Sequence, residues 1–153
     1  VLVSVTDIST AKNPVPRAVL LTLEEETRAQ NDPTDWDDYL THMFAPGVYA
    51  RRFDLPADSM VVGKIHKHAH MNFLMTGVVT VASEFHTETF AAPRIWVSEV
   101  GIKRAVYTIE DAVWVTIHPN PSDTQDLGEI EDEVIAPSYA QLQAFLSGQL
   151  EKL

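Results

Sequence analysis

The sequence contains no cysteine. Disulfides, thiolate metal sites and cysteine nucleophiles are therefore excluded. No apolar run approaches the roughly 20 residues that a bilayer-spanning helix needs, so no membrane partner is expected. The stretch Val1-Leu-Val-Ser-Val5 is too short for a signal-peptide core and lacks basic flanks, which makes the cytoplasm the expected compartment. Basic residues are scarce: 11 Lys and Arg stand against 22 Asp and Glu, a net charge of −11. Such a chain repels phosphates on average, which argues against a nucleic-acid partner. Internal repeats and low-complexity tracts are also missing. The 153 residues suit one domain with a core of its own.

What the chain does have is a row of histidines. In Gly63-Lys-Ile-His66-Lys-His68-Ala-His70-Met-Asn-Phe-Leu-Met-Thr-Gly77, three of the six histidines fall at every second position. On a strand, all three would leave the same face. Neutral imidazole is the commonest protein ligand for transition metals. Alternate strand residues lie about 6.6 Å apart, so three in a row span about 13 Å. A flat strand therefore cannot aim all three at one ion. Either the strand bends, or a ligand comes from elsewhere, with His118 the leading candidate and His86, Glu84 and Glu88 behind it. Two or three histidines with open positions would suit Fe(II), Ni(II), Mn(II) or Zn(II). The competing reading is a solvated histidine face, because the opposite face (Ile65, Lys67, Ala69, Met71, Phe73 and Met75) is the more apolar. His42 and His86 are expected at the surface.

Around this row the texture is β. Strands are expected near 48–55, 60–66, 67–75, 77–82, 84–90, 94–98, 103–109 and 112–118, with turns at Pro56-Ala-Asp58, Gly77, Ala92-Pro93 and Gly101. Several short strands at such spacing imply an all-β barrel or sandwich. Before them, residues 1–18 read as an extended lead-in. Thr22 and Glu25 fit a capping box for a short helix to about Gln30. Residues 34–44 read as a second helix, with Trp36, Tyr39, Leu40 and Phe44 at helical spacing. Residues 119–133 read as an acidic surface linker. After it, Ser138 and Gln141 mark the start of a C-terminal helix with the apolar stripe Tyr139, Leu142, Phe145, Leu146 and Leu150.

The region 48–118 resembles the cupin family in two places. Gly63 to Gly77 is similar to the first cupin motif, and Pro93-Arg-Ile-Trp-Val-Ser-Glu-Val-Gly101-Ile-Lys-Arg104 to the second. The resemblance implies a mainly β fold, a double-stranded β-helix (jelly-roll) barrel. Short N-terminal helices in 1–47 would precede it, and an acidic linker and amphipathic helix in 119–153 would follow. The departures bear on chemistry. His70 stands where the family carries its glutamate, Arg104 where it carries its last histidine, and Glu99 where it carries proline. Arginine stays protonated and does not bind metal, so the family's four-ligand site is not intact. In the cupin alignment Arg104 points into the barrel, where its fork suits a substrate anion or an internal partner such as Glu99 or Glu110. Trp96 and Trp114 are candidate pocket walls, or simply core.

Two functions follow as expectations. One is a metal-dependent cupin enzyme on a small anionic molecule, with metal at His66, His68, His70 and His118. The other is a non-enzymatic ligand-binding or assembly module, a view that suits the general likeness to small cupin-like proteins of phages and prophages. A homodimer is expected in either case, with the Tyr139–Leu150 stripe contributing.

Overall fold

The computed structural model describes Ile8, residues 12–29 and residues 36–152. Eleven strands dominate: β1 (Leu40–Ala45), β2 (Val48–Leu55), β3 (Met60–Val62), β4 (Ile65–His66), β5 (His70–Thr76), β6 (Val78–Ser83), β7 (Thr87–Ala91), β8 (Arg94–Ser98), β9 (Arg104–Thr108), β10 (Ala112–Pro119) and β11 (Ile135–Ala136). The helices are α1 (Arg17–Ala29), α2 (Leu127–Val134) and α3 (Tyr139–Leu150), with a 3₁₀ turn at Trp36–Tyr39. None is long and apolar enough to cross a membrane.

Every strand pairing is antiparallel. One sheet runs β1-β2-β10-β5-β8 and a second β3-β9-β6-β7, with β11-β4 as a small third ladder. The two large sheets face each other. Leu55, Leu74, Ala112 and Trp114 come from the first and Val79, Val81 and Val106 from the second, and they form one buried cluster. The result is a double-stranded antiparallel β-barrel, and the strands account for why: inward positions alternate with outward ones along β5 and β10.

Three local expectations fail. Of the helix expected over 34–44, residues 34 and 35 lie outside the described residues, and 36–44 do not make it. After the 3₁₀ turn, Leu40–Ala45 is a strand that pairs with β2 across Pro46-Gly47. Proline then glycine at positive φ fits the two centre positions of a tight turn, and the pairing partner overrides the helical spacing of Trp36, Tyr39, Leu40 and Phe44. The barrel therefore starts at residue 40, not 48. Helix α1 starts at Arg17, five residues before the expected cap. The Pro16 carbonyl accepts the N–H of Leu20, and the Thr22 hydroxyl donates to Ala18 O instead of capping. Gln30 lies outside the described residues, as does most of the lead-in. The acidic segment 119–133 is no plain linker, for α2 begins within it. Asp126 caps α2 by accepting the Glu129 N–H, and Ile130 and Val134 bury against Tyr49. The C-terminal helix is where its signals put it, with Ser138 accepting the Gln141 N–H.

The N-terminal helix is tied to the barrel by more than contact. Leu20 and Leu23 bury against Ala82 and Ala105. Lys103, almost fully buried, reaches Glu24 at 3.0 Å and donates to the Gly63 carbonyl.

The corner that carries β5 of one sheet into β6 of the other turns on Gly77, at φ +90°, where a Cβ would stand 2.4 Å from the Asp111 carbonyl. The hairpin expected at this glycine is thus a crossing between sheets. Strain and clash act together there, so Gly77→Ala is expected to destabilise by at least about 2 kcal/mol. Gly148→Ala, in α3 with open space around it, is expected to stabilise by about 0.5–1 kcal/mol. Urea unfolding of the two variants checks both signs, and equal midpoints would contradict this account of the corner.

Candidate metal centre

The histidine row does not lie on one strand. It breaks at Lys67 and His68, between β4 and β5. Two backbone contacts hold the break. The Lys67 N–H donates to Val134 O, and β4 pairs with β11 through Ile135↔His66 and Ala136↔Ile65. The Gly101 N–H donates to His66 O from a third direction. The chain therefore turns back on itself within four residues. His66 and His70 come together with ring centroids 4.1 Å apart, while His68 is thrown outward, edge-on to Phe145 of α3 at 5.4 Å.

His118, near the end of β10, completes the group. Its ring lies 4.7 Å from that of His70 and 5.3 Å from that of His66. One ligand nitrogen or more from each of His66, His70 and His118 falls within 4.8 Å of the others. Bonds of about 2.1 Å let one ion draw on all three after small ring rotations. Of the four histidines expected as ligands, the structure brings together these three and leaves His68 exposed at the surface. The weaker candidates are elsewhere: Glu84 pairs with Arg17, Glu88 with Arg94, and His86 is exposed.

The environment keeps the rings neutral. Burial pushes His70 down to about 4, His118 to about 3 and His66 to about 2, and neighbouring rings and arginines add to the last two. Neutral imidazole is the ligating form. The His70 Nδ1 faces the His68 carbonyl at 3.5 Å, which leaves its Nε2 for a ligand. Behind His118 sits Tyr49, stacked at 5.9 Å, whose hydroxyl meets His42 Nδ1 at 2.8 Å. His42 is thus half-buried and hydrogen-bonded, not the free surface residue its sequence context suggests. The three-imidazole set, without a carboxylate, fits a borderline divalent ion such as Zn(II), Fe(II), Ni(II) or Mn(II).

The histidine face is the buried one. Along β5, His70, Asn72 and Leu74 point inward, and Met71 and Met75 are exposed. The solvated-face reading is thereby overturned. A cavity of about 100 Å³ lies beside His66 and His70. Its far wall is apolar, with Phe53, Leu55, Val61, Val106 and Trp114. Trp114 donates to Asn72, which donates to Ser98. Trp96 does not line the cavity. It packs edge-on against Trp114 at 4.9 Å, within the core. Arg104 does line it, and pairs with neither Glu99 nor Glu110. The residues that the sequence reading missed are Arg51 and Asn72, both on this cavity. Counting by twos from Leu55 or from His70 would have turned them inward.

No protein-family model matches the sequence, and no curated protein matches it significantly. Solved structures are similar to part of the chain. KdgF from Halomonas sp. matches with TM-score 0.46 and 16% identity over 61% of this chain and 94% of its own. A cupin-2 domain containing protein from Shewanella frigidimarina matches with TM-score 0.44 and 12% identity over 63% and 91%. The Cnp3 cupin domain of Schizosaccharomyces pombe matches with TM-score 0.45 and 19% identity over 58% and 69%. At these identities no residue's role transfers.

The depressed imidazoles set a pH dependence. In the unfolded chain histidine titrates near 6.5. Below that pH the unfolded state takes up protons that the folded, metal-free state refuses, so stability present above about 6.5 is lost as pH falls toward the folded values. Each ring contributes at most about 1.4 kcal/mol per pH unit. Urea midpoints of chelator-treated protein are expected to drop between about pH 7 and about pH 5. A flat midpoint over that interval would mean that the rings are not buried in the neutral form.

Proposed function

We propose that this protein holds a divalent transition metal at His66, His70 and His118 and uses it on a small molecule bound in the barrel. One observation carries the reading: three neutral imidazoles from β4, β5 and β10 converge beside a partly apolar cavity. Three protein ligands leave coordination positions open, as catalytic sites do and structural sites do not. When bound, the metal would supply Lewis acidity or a site for oxygen chemistry. The chain's own groups do the rest. The apolar wall excludes water, and the Trp114–Asn72–Ser98 chain of hydrogen bonds fixes the polar lining beside the rings.

Elemental mass spectrometry on untagged protein tests this. Near one equivalent of iron, nickel, manganese or zinc is expected. His66→Ala, His70→Ala and His118→Ala should each weaken uptake by more than about 100-fold, beyond the loss typical of outer-shell changes. His68→Ala should keep full metal. Protein that takes up no added divalent ion, or that loses metal only in His68→Ala, would overturn the assignment.

A second reading, an assembly module, is favoured by the outer face of the five-stranded sheet. Register places Met43, Ala50, Ile117, Met71 and Val97 in one row across it. A neighbouring row holds Val115, Phe73 and Ile95. Ile95 is 62% exposed, Met75 55% and Val97 52%. The charges at its edge, Arg52 and Asp54, neutralise each other in an ion pair. We propose that a second copy covers this face. A neutral apolar surface is complementary to itself, whereas two chains of net charge −11 would repel through any other side. Light scattering is expected to give twice the chain mass, and the double variant Ile95→Lys, Val97→Lys to give the monomer. A wild-type monomer at micromolar concentration would remove the dimer. A metal-free dimer would favour the module over the enzyme.

A further inference from the structure

Two arginines enter the same cavity from opposite walls. Arg51 leaves the inward face of β2, level with Thr116 of β10, and Arg104 opens β9 on the facing sheet. Both line the cavity with His66 and His70. The other arginines of the barrel wall have carboxylate partners: Arg52 has Asp54, and Arg94 has Glu88. Among the described residues, Arg51 and Arg104 have no side-chain hydrogen bond or ion pair. Burial pulls Arg104 down to about 10, with no partner to offset it, and it stays charged at neutral pH. Burial lowers Arg51 too, and Tyr49 and Glu131, the latter paired with Lys64, offset this only in part. No Asp or Glu lines the cavity, although the chain has 22 of them.

A buried charge left without a counter-charge is costly, and a fold normally pairs it. Here two are left, facing one small space, and acids are kept out of it. A guanidinium offers a planar fork of donors that matches carboxylate and phosphate oxygens. We propose that Arg51 and Arg104 form an anion clamp for a small dianion, a dicarboxylate or a phosphate ester, beside the histidines. The cavity of about 100 Å³ suits a small ligand. The apolar wall of Phe53, Leu55 and Val61 takes its carbon skeleton. The clamp extends the small-molecule site proposed above and rests on that reading, but its own residues belong to other strands than the metal ligands.

Calorimetric titration with malonate, inorganic phosphate, acetate and malonamide tests it, on protein as purified and again after chelation. One dianion is expected to bind at least tenfold tighter than acetate, and malonamide not at all. A preference for malonate identifies the ligand as a dicarboxylate, and a preference for phosphate as a phosphate ester. Arg51→Gln and Arg104→Gln should each weaken the favoured dianion at least tenfold, while Arg52→Gln on the outer face leaves it unchanged. Where a Gln variant does not fold, Arg51→Lys or Arg104→Lys keeps the charge, loses the fork and should bind more weakly than wild type. Arginine-dependent binding that survives chelation supports the clamp even if no metal is ever found. Absence of dianion binding, equal affinity for acetate and the dianions, or folded Gln variants that bind like wild type would overturn it.

Discussion

The site depends on one pinned turn. Between β4 and β5 the chain folds back over Lys67 and His68, and the backbone of Val134–Ala136 holds it there. On one continuous strand the three histidines would stand about 13 Å end to end. With the pin, the His66 and His70 rings meet, His118 closes the group, and His68 leaves it. The pin itself hangs on α2 and α3. Ile130 and Val134 seat α2 on Tyr49, while Leu142 seats α3 against Ile65 and Ala136. The C-terminal segment is thus part of the site's framework. Its Glu131 pairs with Lys64 on the solvent side, and Lys67 donates to the backbone carbonyl of Asp132.

Burial then decides the chemistry of what the turn assembles. Three imidazoles taken out of water lose the charged form and keep the lone pairs that a metal needs. Two guanidiniums in the same space cannot discharge in that way, since their pKa values remain far above neutrality. The cavity therefore carries positive charge, and no Asp or Glu lines it. Such an arrangement opposes folding and marks places where a protein trades stability for function.

Much of the frame was legible in the sequence, because period-two alternation and turn residues are local signals. The strands of 94–98, 103–109 and 112–118, the turn at Gly77 and the Ser138 cap all follow from neighbours in the chain. His118 was within reach for the same reason, as the inward end of a strongly alternating strand. What failed was set at long range. Leu40–Ala45 has helical spacing, and only β2 makes it a strand. The acidity of 119–133 hides two apolar residues, Ile130 and Val134, at helical spacing, which matter only because Tyr49 waits for them. His68 shares its parity with His66 and His70, and no local signal reports that β11 will break the row. Arg51 sits in an Arg-Arg pair of which one faces in and one out. Phe53 and Leu55 fix that parity, and counting back from them would have found it.

The polarity of β5 joins these points. A soluble barrel is expected to put apolar side chains in and polar ones out, yet β5 buries His70 and Asn72 and exposes Met71 and Met75. A strand can present only two faces. If the inner one is given over to a polar site, its apolar residues have nowhere to go but outward, and β8 and β10 follow it across the ladder with Val97, Ile95 and Ile117. The apolar exterior is thus the counterpart of the polar interior. A second copy on that face, as proposed, would restore to the sheet the burial that the site removes, and β5 would then couple that surface to the histidine cluster through His70.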